Sequence, residues 1–430
     1  MTLAPQDGAE PPDDAPLLQA VSRFVQACRA GAGPVPLGVA VSGGGDSVAL
    51  LHLLHRVAPD FDLHLRVVTV DHGLRPDSAA EAQGVARICA GLGLSHDILH
   101  WSGPAPVGNL MDQARRARVD LIAGWARAQG VGHVALGHTA DDQAESFLMN
   151  LGRAAGVEGL SGMRAQWHQA GLCWHRPLLG NGREALRGYL RRHGQSWVDD
   201  PSNDNDRFAR VRARRALRAL APLGITVDRL QDTIAHLAQA QAALVQMTHQ
   251  AAQGIATPAG ALHLPPGQLA ALPPEIARRL LSAAILWMTG APYPPRGSSL
   301  TALLHKLESG APAAHADATL GGLRFRLRAR GLLITREPRA VMGAVPMGQI
   351  WDHRWQVEGP APQGAEIRAL GATGLRACPL WRETGHPRDA LLVSPAVWQG
   401  EALLGAPFAA PGGDFRATIR PEFRMFILAH

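Results

Sequence analysis

The sequence predicts an α/β protein: a parallel-sheet domain, followed by a helical domain and a small β-rich C-terminal domain. Three observations carry this. Short apolar runs alternate with helical patterns from Leu37 to about Gly152, as in a parallel sheet with crossover helices. A glycine-rich turn joins the first strand of that series to its helix, and strand-like alternation broken by Gly and Pro returns only toward the C-terminus.

The strands of the first domain are LGVAV (37–41), LRVVTV (65–70), HDILHW (96–101) and HVALGH (133–138), with helices beginning near Ser47, Ser78 and Asn109 and another after Thr139. Ser78 and Glu81 have capping-box spacing, each able to satisfy a free amide at a helix start. Ligands of such sheets bind where strands end and helices begin, so functional residues are expected at Ser42, Asp71 and His138. After a glycine-rich passage over 152–162 come an amphipathic helix around Arg183–His193, the turn-rich WVDDPSNDND, and a basic helix around Arg207–Leu220. Pro222 and Gly224 break the pattern and set a domain boundary. Leu230, Ile234, Leu237, Leu244 and Val245 keep helical spacing between Thr226 and about Gln253, and two more helices are expected by Gly310. RFRLRARGLLITRE and WDHRWQVE then alternate as strands. The expected domains are residues 17–222, 223–312 and 313–430, behind a disordered tail at 1–16, and no repeat of solenoid period occurs.

Composition excludes several classes. The chain has 430 residues and is 46% apolar, enough for several cores, yet no apolar stretch nears the ~20 residues that cross a bilayer. Its first sixteen residues carry four acids and no base, the wrong charge for a secretory leader. Cys28, Cys89, Cys173 and Cys378 contain no CxxC pair, so neither a zinc knuckle nor a disulfide framework is implied, and a cytoplasmic setting follows. The net charge is +6, and Lys306 is the one lysine among 42 basic residues. Arginine abundance alone says little in a chain so rich in Ala, Gly and Pro. Its placement says more: residues 176–218 hold eleven arginines against five acids. Clustered bases are a footprint of phosphate binding, and a solvated basic face is the alternative.

The most specific feature is Ser42-Gly43-Gly44-Gly45-Asp46-Ser47, between an apolar strand and the helix VALLHLLHRV. Three glycines let phosphate oxygens reach backbone amides, and the helix dipole adds a positive end at the same place. The loop lacks the GxxxxGK[ST] lysine and the GxGxxG spacing, so neither a Walker nucleotidase nor a dinucleotide site is implied. A carboxylate beside a polyphosphate repels it unless a divalent cation intervenes, which assigns Asp46 to Mg²⁺ and the Ser42 and Ser47 hydroxyls to phosphate. A plain glycine turn with Asp46 as a helix-start acid is the alternative.

This loop resembles the SGGxDS signature of the PP-loop ATP pyrophosphatases, which cleave ATP between its α and β phosphates to adenylate an oxygen. VDHGLRPDSAAEA (70–82), ARRAR (114–118), GHTADDQAESFLMNLGR (137–153) and DDPSNDNDRFARVRAR (199–214) closely resemble the tRNA(Ile)-lysidine synthetase family, over about Leu37 to Pro222 and more weakly beyond. The resemblance implies that ATP, with Mg²⁺, adenylates the C2 oxygen of the wobble cytidine of isoleucine tRNA bearing a CAU anticodon. The side-chain amine of free lysine then displaces AMP, and the helical and β-rich domains select the tRNA.

Individual residues fit that chemistry. Asp142 and Glu145 are three apart at a helix start and share a face, where two acids can hold an ammonium. The resemblance gives them the lysine substrate; simple capping by Thr139, Asp141 and Asp142 is the alternative. His138 matches a family motif histidine or packs. Arg115 and Arg118 share a helix face and suit phosphate or the charge on an adenylated base, against ordinary surface ion pairs. Asp71 lies where the family's nucleotide approaches, or caps a turn. Arg207, Arg210, Arg214 and Arg218 fall at spacings of 3, 4 and 4, a stripe able to follow a tRNA backbone or simply a solvated face. The sequence departs from the family pattern at Thr139 (a second histidine), Val119 (a tyrosine), Ser146 (a threonine) and Arg153-Ala154-Ala155-Gly156 (RGSG). A PP-loop tRNA thiolase would need a catalytic cysteine or a CxxC-held cluster. A small-metabolite amidating synthetase leaves the basic segment without a purpose. A catalytically idle, nucleotide-sensing tRNA-binding protein would show no pyrophosphate release for Asp46→Ala to abolish.

Overall fold

A computed structural model describes residues 14–28, 35–73, 78–101, 110–198, 209–308 and 316–429, in two compact units, 1–241 and 242–430. The first unit opens with α1 (Ala15–Cys28), whose Leu17, Val21 and Val25 recur every four residues and are all buried. There follow β1 (Val35–Ala40), α2 (Gly45–Val57), β2 (Leu63–Asp71), α3 (Ser78–Gly91), β3 (His96–His100), α4 (Leu110–Ala128), β4 (His133–Leu136) and α5 (Ala140–Leu151). After them come α6 (Val157–Leu160), β5 (Gln166–Gln169), β6 (Leu172–His175), α7 (Arg183–Arg192), α8 (Ala209–Leu220) and α9 (Val227–Ala251).

The sheet order is β3-β2-β1-β4-β6-β5, parallel at every pairing except the antiparallel edge β5–β6. The four strands expected from sequence are its adjacent members, with β1 between β2 and β4: Leu37 pairs with both Leu65 and His133. Helix α2 is buried from Ser47 to Leu54, which explains why VALLHLLHRV is apolar on every side, and Leu186, Tyr189 and Leu190 of α7 complete its core.

Two elements differ from the sequence reading. The tail expected over 1–16 lies outside the described residues through 13, but Asp14 is anchored by Arg192 (2.6 Å), His193 (2.7 Å) and Arg56 (3.3 Å), and α1 begins at Ala15. The hairpin β5–β6 is new; its turn is Ala170-Gly171 with φ of 53° and 81°, and alanine at the first left-handed position hides the usual turn signal. The break at Pro222–Gly224 is present as a short 3₁₀ turn ending at Gly224 (φ 79°).

The second unit holds β7 (Leu262–Leu264), α10 (Pro274–Thr289), α11 (Gly297–Glu308), β8 (Ala316–Leu320), β9 (Leu323–Arg328) and β10 (Gly331–Arg336). Beyond these lie β11 (Val345–Pro346), β12 (Trp355–Glu358), β13 (Ala365–Ala369), α12 (Gly371–Arg376), α13 (Arg388–Leu392), β14 (Pro395–Gln399), β15 (Ala402–Gly405), β16 (Arg416–Ile419) and α14 (Phe423–Ala429). Its sheets run β7-β10-β9-β8 and β11-β13-β14-β15, with β12 paired to β16, all antiparallel. The two helices expected before Gly310 are α10 and α11. They share one apolar core with the first of these sheets and α14, through Leu281, Ile285, Leu300, Phe325, Ile334 and Phe423. Among the described residues no helix is long and apolar enough to cross a membrane.

Candidate active site

The glycine loop lies at the C-terminal end of β1, where α2 begins with Gly44 as its N-cap. The helix start leaves the Gly45 and Asp46 amides without intrahelical acceptors, in the field of the dipole. Gly43 has φ +90°, which only glycine adopts cheaply, and a Cβ on Gly45 would come within 3.2 Å of the Trp197 ring. The loop is held from several sides. The Ser47 hydroxyl donates to the Gly44 carbonyl (2.9 Å) and accepts from the Ser42 amide (3.2 Å), and the Val198 amide donates to the Gly43 carbonyl (3.0 Å). Ser42 is exposed, so its hydroxyl is the more available of the two for phosphate. Gly137, leaving β4, passes so close that a Cβ there would lie 2.8 Å from Ser47 Cα.

Beside this loop three carboxylates converge on one guanidinium. Arg183, the first residue of α7, donates through Nε to Asp46 Oδ2 (3.0 Å), through Nη2 to Asp142 Oδ1 (3.2 Å) and through Nη1 to Glu145 Oε1 (3.1 Å). Asp141 fixes that residue by accepting its backbone amide at 2.7 Å. Asp142 does two jobs: its Oδ2 accepts the Thr139 amide (2.9 Å) in a capping box while Oδ1 faces Arg183. Capping and site roles therefore coexist in this residue. Glu145, 1% exposed, also accepts Arg214 Nε at 2.6 Å.

Burial raises the Asp46 pKa, with Arg183 opposing and Asp142 and Asp141 adding to the rise. For Arg183 burial works downward, but the three acids outweigh it and hold its pKa above the ordinary guanidinium value. Asp46 Oδ1 and Glu145 Oε2 are buried with no hydrogen-bond partner among the described residues. Oxygen ligands with unused lone pairs are what a second cation requires, so this acidic pole can accept more positive charge than Arg183 supplies.

A basic pole lies on the other side of His138. Burial lowers the Arg118 pKa, and Arg115 and Arg210 lower it further. Arg176, at the end of β6, is brought to about 10 by burial, with Arg115 and Arg118 adding. Among the described residues none of these four arginines is ion-paired; Arg176 is held by the Arg164 carbonyl (2.7 Å) and by stacking 3.9 Å above the Trp167 ring. Mutually repelling guanidinium groups without acids form a site for an anion. His138, between the poles, is brought to about 4 by burial and then by Arg176, so its imidazole is neutral at pH 7. Asp71 accepts the Gly73 amide (2.9 Å) and pairs with His100 at 3.6 Å; the Gly73 and Ser78 hydrogen bonds hold its carboxyl below the usual range.

The structure thus brings together Ser42–Ser47, His138, Asp142 and Glu145 on one side and Arg115, Arg118 and Arg210 on the other. It turns Arg214 inward onto Glu145, while Arg210 and Arg218 are exposed and Arg207 lies outside the described residues. If the stripe follows a tRNA backbone, as expected from the sequence, Arg210→Ala and Arg218→Ala should each flatten the salt dependence of tRNA binding by about one unit of slope. Arg214→Ala should leave that slope unchanged and instead lower stability, because it strips a buried carboxylate of a partner; equal slope changes for all three would contradict this division. Sequence reasoning missed Arg183 and Arg176, whose signals were one arginine at a helix start after Gly182 and one beside Pro177.

The departure from RGSG also has a physical mark. Ala154 has φ 54°, a left-handed conformation costing about 1–2 kcal/mol outside glycine. Ala154→Gly should therefore raise stability by roughly 1 kcal/mol, less the entropy glycine adds to the unfolded chain; a chemical denaturation midpoint that fell would contradict it.

A glycine loop between a central strand of a largely parallel sheet and its helix defines a PP-loop domain, and the family model so described matches residues 17–220. A tRNA(Ile)-lysidine synthase of Ruegeria pomeroyi is 47% identical over 406 residues, covering 92% of this chain and 95% of that protein. Another, of Hyphomonas neptunium, is 41% identical over 73% of this chain and 83% of its own length. A solved U34-tRNA thiolase of Methanococcus maripaludis aligns with TM-score 0.44 and 15% identity over 52% of this chain and 78% of that one, a likeness too slight to bear on the reaction. The chain belongs to the tRNA(Ile)-lysidine synthase family.

Proposed function

We propose that this enzyme is an ATP-dependent ligase that joins lysine to C2 of the wobble cytidine of isoleucine tRNA with a CAU anticodon. The observation that carries the reading is the convergence of Asp46, Asp142 and Glu145 on a single cation beside a phosphate-binding loop. ATP lies along Ser42, Gly43, Gly44, Gly45 and Ser47, with Asp71 and His138 at the strand ends flanking it. Mg²⁺, when bound through the unpaired Asp46 Oδ1, neutralises polyphosphate charge next to that carboxylate. The cytidine C2 oxygen attacks the α-phosphorus and pyrophosphate leaves. Arg115 and Arg118, with Arg176, stabilise the negative charge that accumulates, and a neutral His138 adds no charge of its own.

The lysine ammonium takes its place between Asp142 and Glu145, where Arg183 sits in this structure, so lysine entry displaces a guanidinium from its seat. An ammonium is no nucleophile until it loses a proton, and a carboxylate of this pair is the acceptor at hand. The free amine then forms a C–N bond at C2, the C2–O bond breaks, and AMP leaves. Arg210 and Arg218, with Arg207, follow the tRNA backbone. The helices of residues 223–312 and the β-rich region 313–430 select the substrate, in the cytoplasm. Incubation of unmodified transcript, ATP, Mg²⁺ and labelled lysine tests this. Label should enter RNA only when all four are present, and label entering without ATP, or a transcript with the wobble cytidine replaced accepting it equally, would refute the reading.

A further inference from the structure

On one face of the same sheet, two imidazoles and a thiol meet. His133, which opens β4, pairs in register with Cys173 of β6, and Cys173 pairs with His168 of β5, so all three share a face. His175, two residues along β6, lies on the same face, and Cys28, the last residue of α1, packs over it. His133 Nδ1 is 3.0 Å from His175 Nε2, and Cys28 Sγ is 3.7 Å from the same nitrogen. These three atoms all lie within 4.8 Å of one another.

The two measured separations lie near those of a tetrahedral metal. With Zn–S ≈ 2.3 Å and Zn–N ≈ 2.0–2.1 Å, ligand atoms stand about 3.6 Å (S to N) and about 3.3 Å (N to N) apart. A hydrogen bond accounts for the 3.0 Å imidazole contact and a weak thiol hydrogen bond for the 3.7 Å one, so a single nitrogen carries two partners, a convergence that a shared cation also satisfies. Among the described residues no carboxylate bonds either ring, the usual partner of a buried histidine kept for packing. Cys28 and His175 are 6% and 5% exposed, and His133 is half-buried. A thiolate with two imidazoles is a soft to borderline donor set, which selects Zn²⁺ over Mg²⁺ or Ca²⁺.

We propose that Cys28, His133 and His175 form a structural Zn²⁺ site that staples α1 to β4 and β6, with water as the fourth ligand. On binding, the Cys28 thiol gives its proton to solvent and the thiolate–metal bond forms. The site uses none of the carboxylates of the acidic pole, and His175 stands next to Arg176 of the basic pole.

The test uses the full, untagged chain, stripped with a chelator and titrated with Co²⁺ alone. One equivalent should bind and produce a thiolate-to-cobalt charge-transfer band that Zn²⁺ abolishes. Cys28→Ser and His175→Gln should lose the band, whereas Cys89→Ser and Cys378→Ser, buried cysteines elsewhere, should keep it. If Cys28→Ser fails to fold, the half-buried His133→Gln carries the same expectation. No saturable one-to-one band, a band surviving in Cys28→Ser or His133→Gln, or equal loss in Cys89→Ser would overturn the proposal.

Discussion

Replacing Arg183 with methionine is expected to cost about 3–5 kcal/mol of stability, the range for removing one partner of a buried ion pair. The guanidinium is 16% exposed and answers three acids that are 20%, 10% and 1% exposed, so solvent does little to screen what is left behind. The pH dependence has a definite sign. The Asp46 pKa is already raised by burial and by its acidic neighbours, with Arg183 the opposing influence. Losing Arg183 raises it further, and an acid whose folded pKa is raised stabilises the fold as pH falls. The deficit should therefore shrink from pH 7 toward pH 5. Lysine should recover part of it, since a ligand at a hundredfold over its Kd contributes about 2.7 kcal/mol. Urea unfolding with and without lysine checks both; a variant as stable as its parent at pH 7 would show that the acids do not need a cation.

Asp46→Asn should reduce pyrophosphate release by at least about a hundredfold, or ~2.7 kcal/mol in the barrier. The amide can still accept from Arg183, so the fold is spared, but it is a poor ligand for Mg²⁺ and leaves polyphosphate charge unneutralised. Binding of tRNA should be unchanged, because Arg210 and Arg218, the described arginines assigned to it, lie on α8 and neither pairs with Asp46. Near-parental release, or release and tRNA affinity falling together, would contradict the separation of the two poles.

Why the phosphate loop was readable and Arg183 was not has a physical explanation. Ser42–Ser47 is local: glycines, strand and helix are contiguous, and their conformations follow from residue type. Asp142 and Glu145 were readable because a helix fixes which residues share a face. Arg183 reaches them across 41 and 38 residues, and only tertiary packing decides that. The same limit affected the basic segment. Periodicity placed Arg210, Arg214 and Arg218 on one stripe of α8, yet that stripe spans a boundary between solvent and core, and Arg214 falls on the inner side. Helix α1 escaped notice because the acidic tail before it dominates the local composition, although Leu17, Val21 and Val25 carry the spacing. The Cys28, His133 and His175 cluster has no spacing signal, since its members come from three separate elements.

With unmodified isoleucine tRNA, ATP and Mg²⁺, pyrophosphate release and lysine incorporation can be followed in the same reaction for Asp142→Asn. If the acidic pole seats the amine and the loop performs adenylation, release persists within a few-fold while the KM for lysine rises roughly 10- to 100-fold, about 1.4–2.7 kcal/mol of lost binding. Release and incorporation falling together at an unchanged lysine KM would contradict that division.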